Sequence, residues 1–387
     1  MKKPTLIIPP NLIRAIQFLA FALTASLPFD NALFHFFSLL LLLAFCASLR
    51  WMGMERVRSA IDHAKWVHVS FAAIWAIMLI SNAINAQSDE AWRTMYQFGP
   101  RYWLLFAVFS CLLGWRIISE KTLFVAAIAG LSLHFIPYIP DMLDLSIFDT
   151  RFKGMDRNPN TAGFKAAGLA MLSLYLAFSQ NLTPRLRYLL AIGVGSMALI
   201  SLLASGNRGS WVAVFVCAGI FLAAMLPKHP KKIIVITISL SVVGGLVLTQ
   251  FSGPAQRLAL LLEANSSYRF DIWKNAWNLF LQKPIFGHGL DVREALLTRK
   301  HIYHEHNIII SVLITMGIVG LIAYSTMLVS IARLAIKYRN YFPLLLILMI
   351  MIVGMFAYDF YRSQLFVAHF VILAVVATHS KDPATAP

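Results

Sequence analysis

His306-Asn307-Ile308-Ile309-Ile310-Ser311-Val312-Leu313-Ile314-Thr315-Met316-Gly317-Ile318-Val319-Gly320 begins an apolar run that continues to about residue 332. As one helix the run is long enough to cross a hydrocarbon core of roughly 30 Å. In such a helix His306 and Gly317, eleven residues apart, stand on one face after about three turns, with Gly320 about 40° away. An imidazole then sits at the mouth of a membrane helix whose same face is notched below it. That arrangement suits a reaction centre at a bilayer surface.

The rest of the chain agrees. Hydrophobic residues make up 59% of the 387 and charged residues 13%, against about 25% charged in ordinary soluble domains. Apolar stretches near the roughly 20 residues needed to span recur along the chain. They predict twelve helices, near 11–28, 31–50, 66–84, 101–118, 122–140, 161–180, 186–205, 210–226, 232–250, 307–332, 341–358 and 361–378. The expected fold is therefore an all-α integral membrane protein with about 12 transmembrane helices, a single polytopic domain over 1–387. Residues 251–306 form a long external loop between the ninth and tenth spans.

A net charge of +16 looks at first like a nucleic-acid footprint, but its distribution argues against one. With both termini inside, the inner segments hold 17 basic residues against Glu55, Asp62, Glu120 and Asp382, a balance of +13. The opposite side carries 15 basic and 13 acidic residues, and Arg14 lies near the inner end of the first span. This is the positive-inside asymmetry; the charge records topology, and no nucleic-acid partner is expected. Cys46, Cys111 and Cys217 all fall in predicted spans, so neither a disulfide framework nor a zinc spacing is present. Lys2 and Lys3 before an apolar run resemble a signal peptide in outline. Pro28 and Asp30 follow without a good cleavage site, so the first helix is read as uncleaved.

The outer-side connections 85–100, 141–160 and 251–306 are long. In the last, residues 267–282 read as an interfacial amphipathic helix ended by Pro284 and Gly287. With Arg269 at 0°, Ile272, Trp273, Ala276, Trp277 and Phe280 lie between about −60° and +80°. Asp271, Lys274, Asn275 and Asn278 lie between about 140° and 240°. Arg269 thus shares the apolar face. Two readings are open: a snorkelling or Trp273-stacked arginine, or a cation aimed into the membrane domain to hold an anion. Ser205-Gly206-Asn207-Arg208-Gly209-Ser210 is likewise either a short inter-helix loop or a turn that brings backbone to a ligand. Arg101, Arg151 and Arg157 rank below these. His306 is an interfacial polar residue, a member of a metal cluster with His301, His304 and Glu305, or a catalytic base. On a helix His304 and His306 diverge in direction, which disfavours the metal; no Asp-x-Asp pair is present, and Asp30 alone is weak. The site is read as metal-free.

Ser205-Gly206-x-Arg208-Gly209, Arg269-x-x-x-Trp273 in a long outer loop, and His306-Asn307-x9-Gly317-x-x-Gly320, together with twelve spans, resemble the O-antigen ligases of the wider O-antigen ligase/polymerase superfamily. The likeness covers the topology and is specific mainly over 205–320. It implies a fold like that of the GT-C-type lipid-dependent glycosyltransferases, in a Gram-negative inner membrane with the site facing the periplasm. The implied donor is O-antigen on undecaprenyl pyrophosphate, the implied acceptor the lipid A–core oligosaccharide, with membrane lipids around it and no cofactor. His306 is then the general base, Arg208 and Arg269 stabilise the pyrophosphate, and Asn307 orients His306 or sugar. Gly317 and Gly320 are expected to permit close helix packing, and loops 85–100 and 141–160 to line the donor's route. An O-antigen polymerase is the nearest rival. A secondary transporter is the rival of another class, disfavoured because the distinctive residues gather at one membrane edge.

Overall fold

A computed structural model describes residues 8–29, 31–85, 88–148, 151–155, 157–179, 182–263, 269–291, 306–356 and 364–379. These are helical, with no strand among them. The helices are α1 (Pro10–Ser26), α2 (Asn31–Met52), α3 (Met54–His63), α4 (Lys65–Ile84), α5 (Asp89–Gly114), α6 (Glu120–Phe135), α7 (Ile139–Leu143) and α8 (Pro159–Phe178). Then follow α9 (Pro184–Ser205), α10 (Arg208–Met225), α11 (Pro230–Gln250), α12 (Ser252–Leu262), α13 (Arg269–Gln282), α14 (Ile308–Lys337), α15 (Tyr341–Gly354) and α16 (Gln364–Thr378). Among the described residues, each of the twelve segments expected to span contains a helix. Eight of the described helices are both long and apolar enough to cross a membrane: α2, α4, α6 with its extension to Leu143, α8, α9, α10, α11 and α14.

The solvent these helices expect shows in what they leave uncovered. Only 6% of the apolar window of α11 is buried, and Phe215, Leu189 and Ile192 are more than 60% exposed. In water such faces would drive association; against lipid tails they carry no such penalty.

The chain divides into two compact units. The first comprises Met1–Ala126, Tyr268–Ile347 and Gly354–Pro387; α14 packs there on α4, α13 and α16, and α5 on α4 and α16. The second comprises Ala127–Ser267 and Leu348–Val353, built on α8 against α9 and α10. Two of the long connections are more structured than their polarity suggests. Residues 85–100 are largely the first turns of α5, started by Ser88, whose hydroxyl accepts from the Ala91 N–H. Segment 251–306 holds α12 as well as the expected amphipathic helix.

Helix α14 departs from the three-turn geometry expected of it. Gly317 has φ +66° and ψ −164°, outside helical space, so the helix is broken there. His306 and Gly317 are not related by one continuous helical face. The reason is tertiary. An unbroken helix would bond the Ile318 N–H to the Ile314 carbonyl and the Val319 N–H to that of Thr315. Instead, Ile318 N donates to Pro284 O at 2.8 Å and Val319 N to Ile285 O at 3.4 Å. The freed carbonyls accept from His288 N at 2.7 Å and Gly289 N at 3.0 Å. Segment 284–289 is thus inserted into the break, leaving those backbone groups satisfied as an apolar surrounding requires. Gly317 does permit close backbone approach, but to this loop: a Cβ there would overlap the Ile285 carbonyl and Phe286 N.

Candidate functional site

In the first unit the site is built around the start of α14. Asn307, buried to 3% exposure, caps the helix: its Oδ1 accepts from Ile309 N at 3.0 Å and Ile310 N at 3.2 Å. The side chain proposed to orient His306 or sugar is therefore committed, through its oxygen, to the helix end. His306, one residue earlier, is half-buried at φ +52°, left-handed backbone that a non-glycine residue enters at a cost. The capped helix and this turn fix the direction in which the imidazole leaves the backbone. Such strain concentrates at functional sites.

Helix α13 lies across α14 by the face its periodicity gave. Ile272, Ala276 and Phe280 are buried, and Ala276 and Phe280 pack with Leu313 and Ile314. Asp271, Lys274, Asn275 and Asn278 are exposed, and so is Trp277, which the wheel had placed at the edge of the apolar arc. Arg269, the first residue of α13, is half-buried on the packed side, its guanidinium carbon 6.0 Å over the Phe356 ring.

A polar seam then anchors the end of the loop. Ser81 Oγ donates to Thr315 O at 2.8 Å, Asn85 Nδ2 to Gly287 O at 3.1 Å, and Leu290 N to Asn82 Oδ1 at 3.0 Å. Ser88 Oγ donates to Asp291 Oδ1 at 2.8 Å, and Lys283 Nζ bonds Asn85 Oδ1. His288 Nε2 lies 2.7 Å from Leu279 O near the end of α13. The C-terminal end of α4 thereby holds the segment that enters the break in α14. Apart from Gly287, read as ending the amphipathic helix, these residues were not singled out in the sequence; the Ser-Asn-x-x-Asn run 81–85 at a span's end was the available signal.

In the second unit the turn between α9 and α10 is a double cap. Gly206 at φ +59° closes α9, and Asn207 caps α10 by accepting from Ser210 N at 3.3 Å. Asn207 Nδ2 donates to Asn160 O at 3.0 Å. Arg151 joins Ser205 O (3.0 Å) and Asn160 Oδ1 (3.1 Å), so this lower-ranked arginine braces the turn. The turn lies flat on α8 because residue 163 is glycine; a Cβ there would come within 2.6 Å of the Asn207 Cβ. Arg208, the first residue of α10, is half-buried and donates one N–H to Leu260 O on α12 at 2.8 Å.

Arg269, His306 and Asn307 thus belong to one unit and Arg208 to the other. Arg101 lies half-buried within α5, and Arg157 is exposed before α8. Asp30, His301, His304, Glu305, Ser267 and Tyr268 lie outside the described residues.

Compared with known proteins, residues 193–325 match the family described as O-antigen ligase. Arg208, Arg269, His306, Asn307, Gly317 and Gly320 all fall in that stretch. The chain is also 26% identical over 201 residues to a Haemophilus influenzae protein described only as uncharacterized. That alignment covers 45% of this chain and 50% of the relative, so the chain spans about half the length of the relative it matches.

Proposed function

We propose, from the match of residues 193–325 to the O-antigen ligase family, that the chain moves O-antigen polysaccharide from undecaprenyl pyrophosphate to a hydroxyl of the lipid A–core oligosaccharide. The family is one of glycosyltransferase-like membrane enzymes of the ligase/polymerase group, which use lipid-linked glycans. The finer reading places the reaction on the periplasmic face of a Gram-negative inner membrane, with twelve spans and both termini cytoplasmic. One observation supports it above others. The matched segment contains the imidazole and both guanidinium groups the chemistry needs, with His306 set in a constrained turn beside a buried cap.

In the reaction the acceptor hydroxyl oxygen attacks the anomeric carbon of the donor sugar. His306 takes the hydroxyl proton, a contribution typically worth about 10²–10⁴ in rate. The bond between that carbon and the pyrophosphate oxygen breaks, and its electron pair leaves on the lipid pyrophosphate. Arg208 and Arg269 meet the charge that develops there; guanidinium groups stay protonated and match phosphate oxygens with paired donors. They accelerate the step to the extent that they bind the developing charge better than the resting diester. These two cations take the part a metal would play, and a single in-line displacement inverts the anomeric centre. Asn307 acts through the helix cap, holding the residue before it in place.

Deletion of the protein in cells separates this reading from polymerisation. Loss of a ligase leaves long chains on the lipid carrier and bare lipid A–core. Lipopolysaccharide carrying a single repeat would instead identify a polymerase.

A further inference from the structure

The second unit holds a guanidinium that the family motifs leave out. Arg257 lies on α12, one turn before Leu260, whose carbonyl takes the Arg208 N–H at 2.8 Å. Its stem crosses Gly206: a Cβ on that glycine would stand 3.1 Å from Arg257 Cγ and 3.4 Å from Nε. Arg257 and Arg208 are close enough for each charge to be felt by the other. Arg257 is half-buried, yet among the described residues it has no hydrogen bond and no ion pair. Arg58, by contrast, pairs with Asp62 on α3. Two like charges held together on part-covered surface repel unless an anion lies between them. Arg208 also stands at the N-terminus of α10, where the helix dipole already favours negative charge.

We propose that Arg257 is a second phosphate ligand beside Arg208, so that α12 and the 205–208 turn together form a cradle for the donor's diphosphate. The identity of the anion as that diphosphate rests on the reading of the reaction given above; the anion cradle itself does not. Arg208 is tied by one N–H to α12 and keeps the two arginines in register. Arg257, with all its donors uncommitted among the described residues, supplies the paired hydrogen bonds. Gly206 is glycine both for its φ and because the Arg257 stem passes over it.

The test measures binding of inorganic pyrophosphate to the purified full chain in a neutral detergent by calorimetry, with donor kinetics alongside. Arg257→Gln keeps the stem over Gly206 and removes the charge, and Arg257→Lys keeps the charge and removes the fork. Arg58→Ala serves as a control for loss of one positive charge. The expected result is at least a tenfold weaker pyrophosphate affinity in Arg257→Gln, a smaller loss in Arg257→Lys, and none in Arg58→Ala. In transfer assays Arg257→Gln should raise the KM for the lipid-linked donor. Unchanged pyrophosphate affinity in Arg257→Gln overturns the cradle, as does wild-type protein that binds phosphatidylglycerol in nanodiscs through Arg257 but not pyrophosphate. Pyrophosphate binding that depends on Arg257 in a protein that transfers no glycan would sink the proposed reaction and leave the cradle standing.

Discussion

Replacing Gly317 with alanine probes the break in α14, and with it the seat of segment 284–289. At φ +66° and ψ −164° the backbone lies where essentially only glycine is comfortable, and strain of this kind costs about 1–3 kcal/mol. The new methyl group also overlaps the Ile285 carbonyl and Phe286 N, so segment 284–289 must withdraw. Four backbone hydrogen bonds tie that segment to residues 314–319. Losing two of them at about 0.5–1.5 kcal/mol each adds about 1–3 kcal/mol. The expected destabilisation is therefore about 2–6 kcal/mol. Gly219→Ala on α10 is the control: nothing lies within 4 Å of a Cβ there, and alanine should be neutral or stabilise by about 0.5–1 kcal/mol. Equilibrium unfolding in mixed detergent and SDS micelles, followed by tryptophan fluorescence, reads both. A Gly317→Ala protein within about 0.5 kcal/mol of wild type, or equal losses at both positions, refutes the reasoning.

Asn307→Ala removes the cap of α14 and should cost about 1 kcal/mol, with slower transfer because His306 loses its fixed neighbour; Asn307→Asp keeps an acceptor and should recover most stability. Arg269→Lys keeps the charge and loses the fork, so glycan transfer should fall at least about tenfold at normal protein level; near-normal turnover makes Arg269 an interfacial anchor. His379, just past α16, lies with Nδ1 2.8 Å from Val375 O and Nε2 3.0 Å from Ser110 O. Burial, then the nearby His63, pushes its pKa down to about 4 against a pull upward from those carbonyls. The folded state therefore binds fewer protons than the unfolded one between about pH 4 and 6.5, and stability rises with pH through that window. Unfolding at pH 4.5 and 7 should differ by up to about 2–3 kcal/mol from this residue, allowing for its partial exposure, and His379→Gln should flatten the difference.

The helical architecture was legible because the bilayer demands about 20 apolar residues per crossing, and those runs stand out against charged connections. The packed face of α13 was equally legible: Ile272, Ala276 and Phe280 recur at helical spacing and are the buried residues. The break at Gly317 was not. A Gly-x-x-Gly pattern reads as a surface for helix packing, and only the arrival of residues 284–289, some thirty positions earlier in the chain, turns it into a non-helical seat. Helix α12 was passed over inside a stretch taken as loop, although Leu258, Leu260 and Leu261 mark it. Arg257 was hidden with it, despite being the single basic residue between Lys232 and Arg269. The cap made by Asn307 was not read in advance, although an Asn immediately before an apolar run is a cap signal first.

The most direct measurement is glycan transfer by the purified protein from undecaprenyl-pyrophosphate-linked O-antigen to lipid A–core, in a chelator, for wild type and His306→Ala. Wild type should form lipid A–core-linked polysaccharide, and His306→Ala should lose at least about 100-fold of that rate while folding and binding donor normally. Transfer undiminished by His306→Ala, or abolished in wild type by the chelator alone, would contradict it.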